Sequence, residues 1–85
     1  MKTYSVYAGR TILMTFSANF ANASSPIYIC DPNGSNPEST PFQVADSRHN
    51  PVVAAKMLNS WLRNQGGEAW ERGTTGLNLR SVRGK

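Results

Sequence analysis

Eighty-five residues make one domain, and a chain this short buries only about 60–65% of the surface its unfolded form exposes. Charged residues are 16% of the chain, against about 25% in an average domain, and Asn, Ser and Thr stand in their place, around a net charge of +4. A single cysteine excludes an intrachain disulfide of the kind small secreted domains use, and no apolar run is long enough to cross a bilayer, so the expected setting is the cytoplasm and not a membrane.

Residues 2–8 alternate, with Tyr4 and Val6 on one side and Tyr7 on the other, which is the period of a strand. Gly9-Arg10 turns the chain. Ile12, Met14 and Phe16 then alternate with Leu13 and Thr15 as a second strand, so the two make a hairpin. The stretch also has the outline of a secretory signal. Lys2 and Arg10 precede an apolar run from Ile12 to Phe20, and Ala21-Asn22-Ala23 has the A-x-A form of a cleavage site. Thr15, Ser17 and Asn19 break that run, and Arg10 sits against it, so it is expected to be part of the fold.

Residues 17–25 are small and polar around Phe20 and suit a loop or an irregular strand end. Pro26 opens a third strand, Ile27-Tyr28-Ile29-Cys30. Residues 31–41 hold three prolines, a glycine and two asparagines, the composition of a loop. Phe42-Gln43-Val44-Ala45 reads as a fourth strand. Pairing it with the third across that loop sets Cys30 opposite Phe42 and Asp46 opposite Pro26.

The helix is the clearest element. Asn50 is suited to the N-cap and Pro51 to the first helical position, where no amide donor is needed. Apolar residues follow at 53, 54, 57, 58, 61 and 62, one stripe of an amphipathic helix. Gly66-Gly67 ends it, with Gly66 suited to a left-handed C′ position. Lys56, Asn59, Ser60, Arg63 and Asn64 form the expected wet face. Beyond it, Ala69 and Trp70 are expected to fold back on the core, and Leu77 and Leu79 alternate with polar neighbours as a last strand would. The fold class expected is α+β: a small, mainly antiparallel sheet of about four strands with one helix packed on one face and a basic C-terminal tail.

The net charge has one source. Met1–Glu71 hold five basic residues (Lys2, Arg10, Arg48, Lys56, Arg63) and five acidic ones (Asp31, Glu38, Asp46, Glu68, Glu71), which cancel. Arg72, Arg80, Arg83 and Lys85 then add four positive charges with no acid among them. The expected organisation is a single compact domain over residues 1–71 and a basic arm over residues 72–85, the arm meeting something negative. Trp70, Arg72, Arg80, Arg83 and Lys85 are the candidate partner-binding residues. Arginine forks onto carboxylates, and arginine and lysine both neutralise phosphates without reading sequence. Leu77, Leu79 and Val82 supply apolar anchors that a merely solubilising tail would not need.

No catalytic set is expected. Cys30, His49 and Asp46 are the only residues from which a thiol triad could be drawn, and thiolate catalysis needs an imidazole beside the sulfur. The pairing above separates Cys30 from Asp46 by four residues of strand, about 13 Å at ~3.3 Å per residue. One histidine and one distant cysteine do not make a metal site, which takes three or four ligands. Glu68 and Glu71 read as a solvated pair near Arg72, and Trp61 as part of the core stripe. Gly73, Gly76 and Gly84 match neither phosphate-loop nor dinucleotide-binding spacing. No cofactor is expected either.

In its length and its lack of a catalytic set the chain is similar to accessory proteins of phages and mobile elements. The function this implies is non-enzymatic: docking on, or inhibition of, a host protein or nucleoprotein complex with an acidic surface. Sequence-independent nucleic-acid binding through the basic arm is the alternative, with Tyr4, Tyr7 and Tyr28 as stacking surfaces on the sheet.

Overall fold

Alternation in the first two segments produces a long hairpin. In the computed structural model, which describes residues 1–8, 10–65 and 82–84, strand β1 is Lys2–Ala8 and β2 is Thr11–Ala18. They pair antiparallel from Lys2↔Ala18 to Val6↔Met14, after which the register shifts and Tyr7 pairs with Ile12. The shift leaves Leu13 as the extra residue of a β-bulge, 38% exposed. Strand β3 (Pro26–Cys30) pairs with β2, and β4 (Glu38–Gln43) pairs with β3. A short strand, β5 (Val82–Gly84), pairs antiparallel with β1 on its free side. The described residues therefore form a sheet of five strands in the order β4-β3-β2-β1-β5, all pairs antiparallel.

Helix α1 (Pro51–Asn64) covers one face. Its start follows from the local chemistry: Pro51 needs no amide partner, and the Asn50 side chain accepts the Val52 amide at 2.9 Å. Ala54, Ala55 and Leu58 pack on Val6, Met14, Phe16, Ala18, Ile27 and Val44, with Tyr4, Phe20, Leu62 and Val82 around them. Three rings close one side of this core. Tyr4 stacks on Phe16 at 5.6 Å, and Phe20 meets Tyr4 edge-on at 5.1 Å. Trp61 is half-buried and meets Phe42 edge-on at 6.4 Å.

The α+β class, with its antiparallel sheet and single packed helix, is as the sequence implies; the placement of the fourth strand is not. β4 begins at Glu38, and Val44–Ser47 is a 3₁₀ turn instead of strand. The expected strand fails at Val44 because its amide donates to the Ser25 carbonyl at 2.9 Å and the Ala45 amide to the Ala23 carbonyl at 3.0 Å. Those bonds pull the chain off the sheet edge, and the Asp46 carboxylate accepts the Gln43 amide at 2.8 Å to start the turn. The register changes accordingly: Glu38 pairs with Ile29, Ser39 with Tyr28 and Gln43 with Pro26. Cys30 faces Thr15 of β2 and not Phe42, and Asp46 has no strand partner. Asn59, expected on the wet face of the helix, is buried.

The sheet's other face is polar and closely packed. Ser5, Thr15 and Ser17 are buried there, with Ser5 Oγ 3.3 Å from Thr15 Oγ1 and Ser17 Oγ 3.4 Å from Cys30 Sγ. The 31–37 loop reaches this face. Its turn is tied by the Gly34 amide donating to the Asp31 carbonyl at 2.8 Å and by Asn36 Nδ2 donating to the Asp31 carboxylate at 2.6 Å. Gly34 has φ of +87°, a left-handed value that favours glycine, and a Cβ there would lie 3.6 Å from Thr3 Cγ2. The loop tip thus lies beside β1, having crossed β2.

Candidate contact edge

The strand order sorts the charges. β1 contributes Lys2 and β5 contributes Arg83, while β2 and β3 carry no Asp, Glu, Lys or Arg. Glu38, the only charged residue of β4, lies on the opposite edge. Of the connections, the one between β1 and β2 holds Arg10, the loop after β3 holds Asp31, and the segment after β4 holds both Asp46 and Arg48. Among the described strands, the β1–β5 edge therefore carries the basic residues and the β4 edge carries the acid.

Lys2 and Arg83 occupy opposite faces of that edge. Lys2 alternates with Tyr4 and Val6 onto the helix side, and its ammonium stands 5.4 Å from the centre of the Tyr4 ring. Gly84, paired with Tyr4, makes room for it: a Cβ on Gly84 would collide with Lys2 Cε and come within 3.1 Å of Tyr4 Cε2. The end of the lysine side chain therefore lies over β5 at Gly84. Arg83 pairs with Ser5 and points to the other face, where its guanidinium lies 5.2 Å from the centre of the Tyr7 ring. A cation over an aromatic face at this range is held by the ring quadrupole, which orients the charge without neutralising it.

Of the residues singled out from the sequence, Arg83 is at this edge; Trp70, Arg72, Arg80 and Lys85 lie outside the described residues, as do Glu68 and Glu71, Leu77 and Leu79, and the Gly66-Gly67 helix stop. Val82–Gly84, assigned from sequence to the basic arm, pair with β1. Lys2, Tyr7 and Gly84 complete the edge; of these the sequence points only to Tyr7 as a contact residue, a stacking surface. The one signal of Lys2 in the sequence is its charge sign, which becomes part of an edge because β1 and β5 are neighbours. The tyrosines do not form one stacking platform. Tyr4 is packed among Phe16 and Phe20 on the helix side, while Tyr7 and Tyr28 belong to the other face.

Cys30, His49 and Asp46 each have a separate partner. His49 Nδ1 is 2.8 Å from the Phe20 carbonyl, Asp46 holds the Gln43 amide, and Cys30 lies beside Ser17. Among the described residues no three of His, Cys, Asp and Glu come together as metal ligands would, and no helix is long and apolar enough to cross a membrane. A cavity of about 140 Å³ opens where β2 extends past the end of β3, between Ile12, Met14, Cys30, Pro32 and Leu62. Its lining is mostly apolar, with the Cys30 thiol as its reactive group. No protein family, curated protein or solved structure matches this chain.

Proposed function

We propose that this protein is a non-enzymatic binding module that docks through its β1–β5 edge on an acidic surface of a protein or nucleoprotein complex. The observation that carries the reading is the sorting of charge by strand order: Lys2 and Arg83 share one edge, and Glu38 lies on the other. An edge of one sign speeds and orients encounters with a partner of the opposite sign. Arg72, Arg80 and Lys85 adjoin β5 in sequence and add to the same sign. The cytoplasm is the compartment we assign, since Cys30 has no second cysteine to pair with. Size and composition fit a phage- or mobile-element-type accessory protein or inhibitor.

Direct binding to nucleic acid is the competing reading, and one experiment separates the two. The intact chain and Arg83→Gln are titrated, across a salt series, with labelled poly-glutamate, duplex DNA and single-stranded DNA. Docking on an acidic protein surface predicts binding to poly-glutamate that weakens with salt and falls in Arg83→Gln. Binding confined to the nucleic acids, with a steep salt slope, would replace this reading with the alternative. No salt-dependent binding to any of the three would remove the contact edge altogether. Truncation of the basic segment is the wrong perturbation, because it also removes β5 from the sheet.

A further inference from the structure

We infer that the partner is an extended acidic peptide that adds to the sheet outside β5, with two consecutive acidic residues opposite Arg83 and Gly84. The inference rests on the contact-edge reading above and specifies what that edge takes. β5 is the terminal strand of the sheet, paired with β1 on one side and with no described strand on the other. Such a strand offers unpaired amides and carbonyls to an incoming strand. Arg83 and Gly84 are both exposed.

The placement of the two cations sets the register. Successive residues of a strand point to opposite faces. Arg83 presents its guanidinium on the face away from the helix, beside Tyr7. One residue on, Gly84 presents no side chain, and the ammonium of Lys2 fills the space over it on the helix face. An added strand therefore meets a guanidinium beside one residue and an ammonium beside the next, on opposite faces. Adjacent acidic side chains satisfy both, whereas acids two residues apart share a face and reach only one. The same charges make the edge selective. A short cationic edge repels another of its kind, which is how native sheets avoid indiscriminate pairing. The opposite edge of a second copy is a poor occupant, because β4 carries one acid and is interrupted by Pro41, which has no amide to donate.

The test uses the full-length chain and fluorescent octapeptides of identical composition, Thr/Val-rich, with two glutamates either consecutive or two residues apart, read by anisotropy at low salt. The consecutive isomer is expected to bind about two- to fivefold more tightly, the effect of one exposed ion pair. Two further versions of it each carry one backbone N-methyl group, at adjacent residues. One of those amides points at β5 and the next points away, so one version is expected to lose binding more than tenfold and the other to keep it. Gly84→Ala displaces the flexible end of Lys2 and is expected to weaken the consecutive isomer about two- to fivefold, measured at a temperature where the variant is fully folded by circular dichroism. Equal affinities of the two isomers, or equal loss on both N-methylations, would overturn strand addition while leaving a cationic contact edge. Binding of single-stranded DNA but of neither peptide would overturn it in favour of a nucleic-acid partner. Concentration-dependent dimerisation without peptide binding would assign the edge to a second copy. Failure of every polyanion would sink both this inference and the reading it rests on.

Discussion

Asn59 and Leu58 are neighbours on one helix, both buried, and truncating them to alanine should have unequal effects, Leu58→Ala a large loss of stability and Asn59→Ala little change or a gain. Leu58 is fully buried, and Leu→Ala at such sites costs about 2–5 kcal/mol. The whole fold of an 85-residue domain is worth about 4–13 kcal/mol, so Leu58→Ala should lower the melting temperature by roughly 10 °C or more. Asn59 is 1% exposed, and its Oδ1 has no hydrogen-bond partner among the described residues. A buried acceptor left unsatisfied costs about 1–3 kcal/mol, which Asn59→Ala returns. Alanine adds about 0.5 kcal/mol of helix propensity over asparagine. Against these stands the loss of dispersion contacts made by three heavy atoms, about 1–2 kcal/mol. The balance runs from about 0.5 kcal/mol of destabilisation to about 2.5 kcal/mol of stabilisation, the upper end raising the melting temperature by about 10–20 °C. Thermal and urea denaturation of both variants, followed by circular dichroism, reads the difference. A loss of more than 1 kcal/mol in Asn59→Ala would refute the reasoning, since it would mean that Oδ1 is satisfied in the folded chain.

Three further perturbations follow from the same geometry. Asn50→Ala removes the acceptor for the Val52 amide and should destabilise the fold by about 1 kcal/mol, measured by urea denaturation; an unchanged midpoint would mean that water caps the helix equally well. Gly34→Ala should cost about 1–2 kcal/mol through backbone strain alone, because φ is +87° while the Cβ would meet only ordinary contact with Thr3; Gly34→Asn, which tolerates the left-handed region better, should cost less, and the reverse order would refute the strain argument. Deleting residues 82–85 strips β5 from β1 and Val82 from the core, and should raise hydrogen exchange at the β1 amides that face β5; unchanged exchange there would show that β1 does not depend on β5.

The elements legible in the sequence are those whose signal is local. The hairpin follows from alternation, and α1 from its Asn50-Pro51 start and apolar stripe. β4 was obscured because Ser39, Thr40 and Pro41 have the composition of a turn. An edge strand tolerates proline, and Thr40 Oγ1 adds a bond to the Ile27 carbonyl at 2.7 Å that no propensity scale anticipates. The 3₁₀ turn replaced strand at Val44 because of carbonyls on residues 23 and 25, which are distant in sequence. Asn59 is predicted by its polarity to lie on the wet face of the helix. Its burial reflects how broad the covered face of α1 is, which the stripe alone does not fix.

The contact edge is the extreme case of this dependence on topology. Lys2 and Arg83 are almost the full chain apart, and neither stands out: one sits at the start of an aromatic strand, the other in a cluster of basic residues. They become one surface because β5 pairs with β1 and not with β4. Had the last strand joined the other edge, Arg83 would lie beside Glu38, and the two charges would offset each other across a ladder. The same composition would then present no cationic edge at all. Net charge gives only the sign, and strand order decides whether basic residues gather at one edge of the sheet. For this protein the decision rests on three residues, Val82–Gly84, the middle one an arginine whose side chain lies over Tyr7 and the last a glycine that makes room for Lys2.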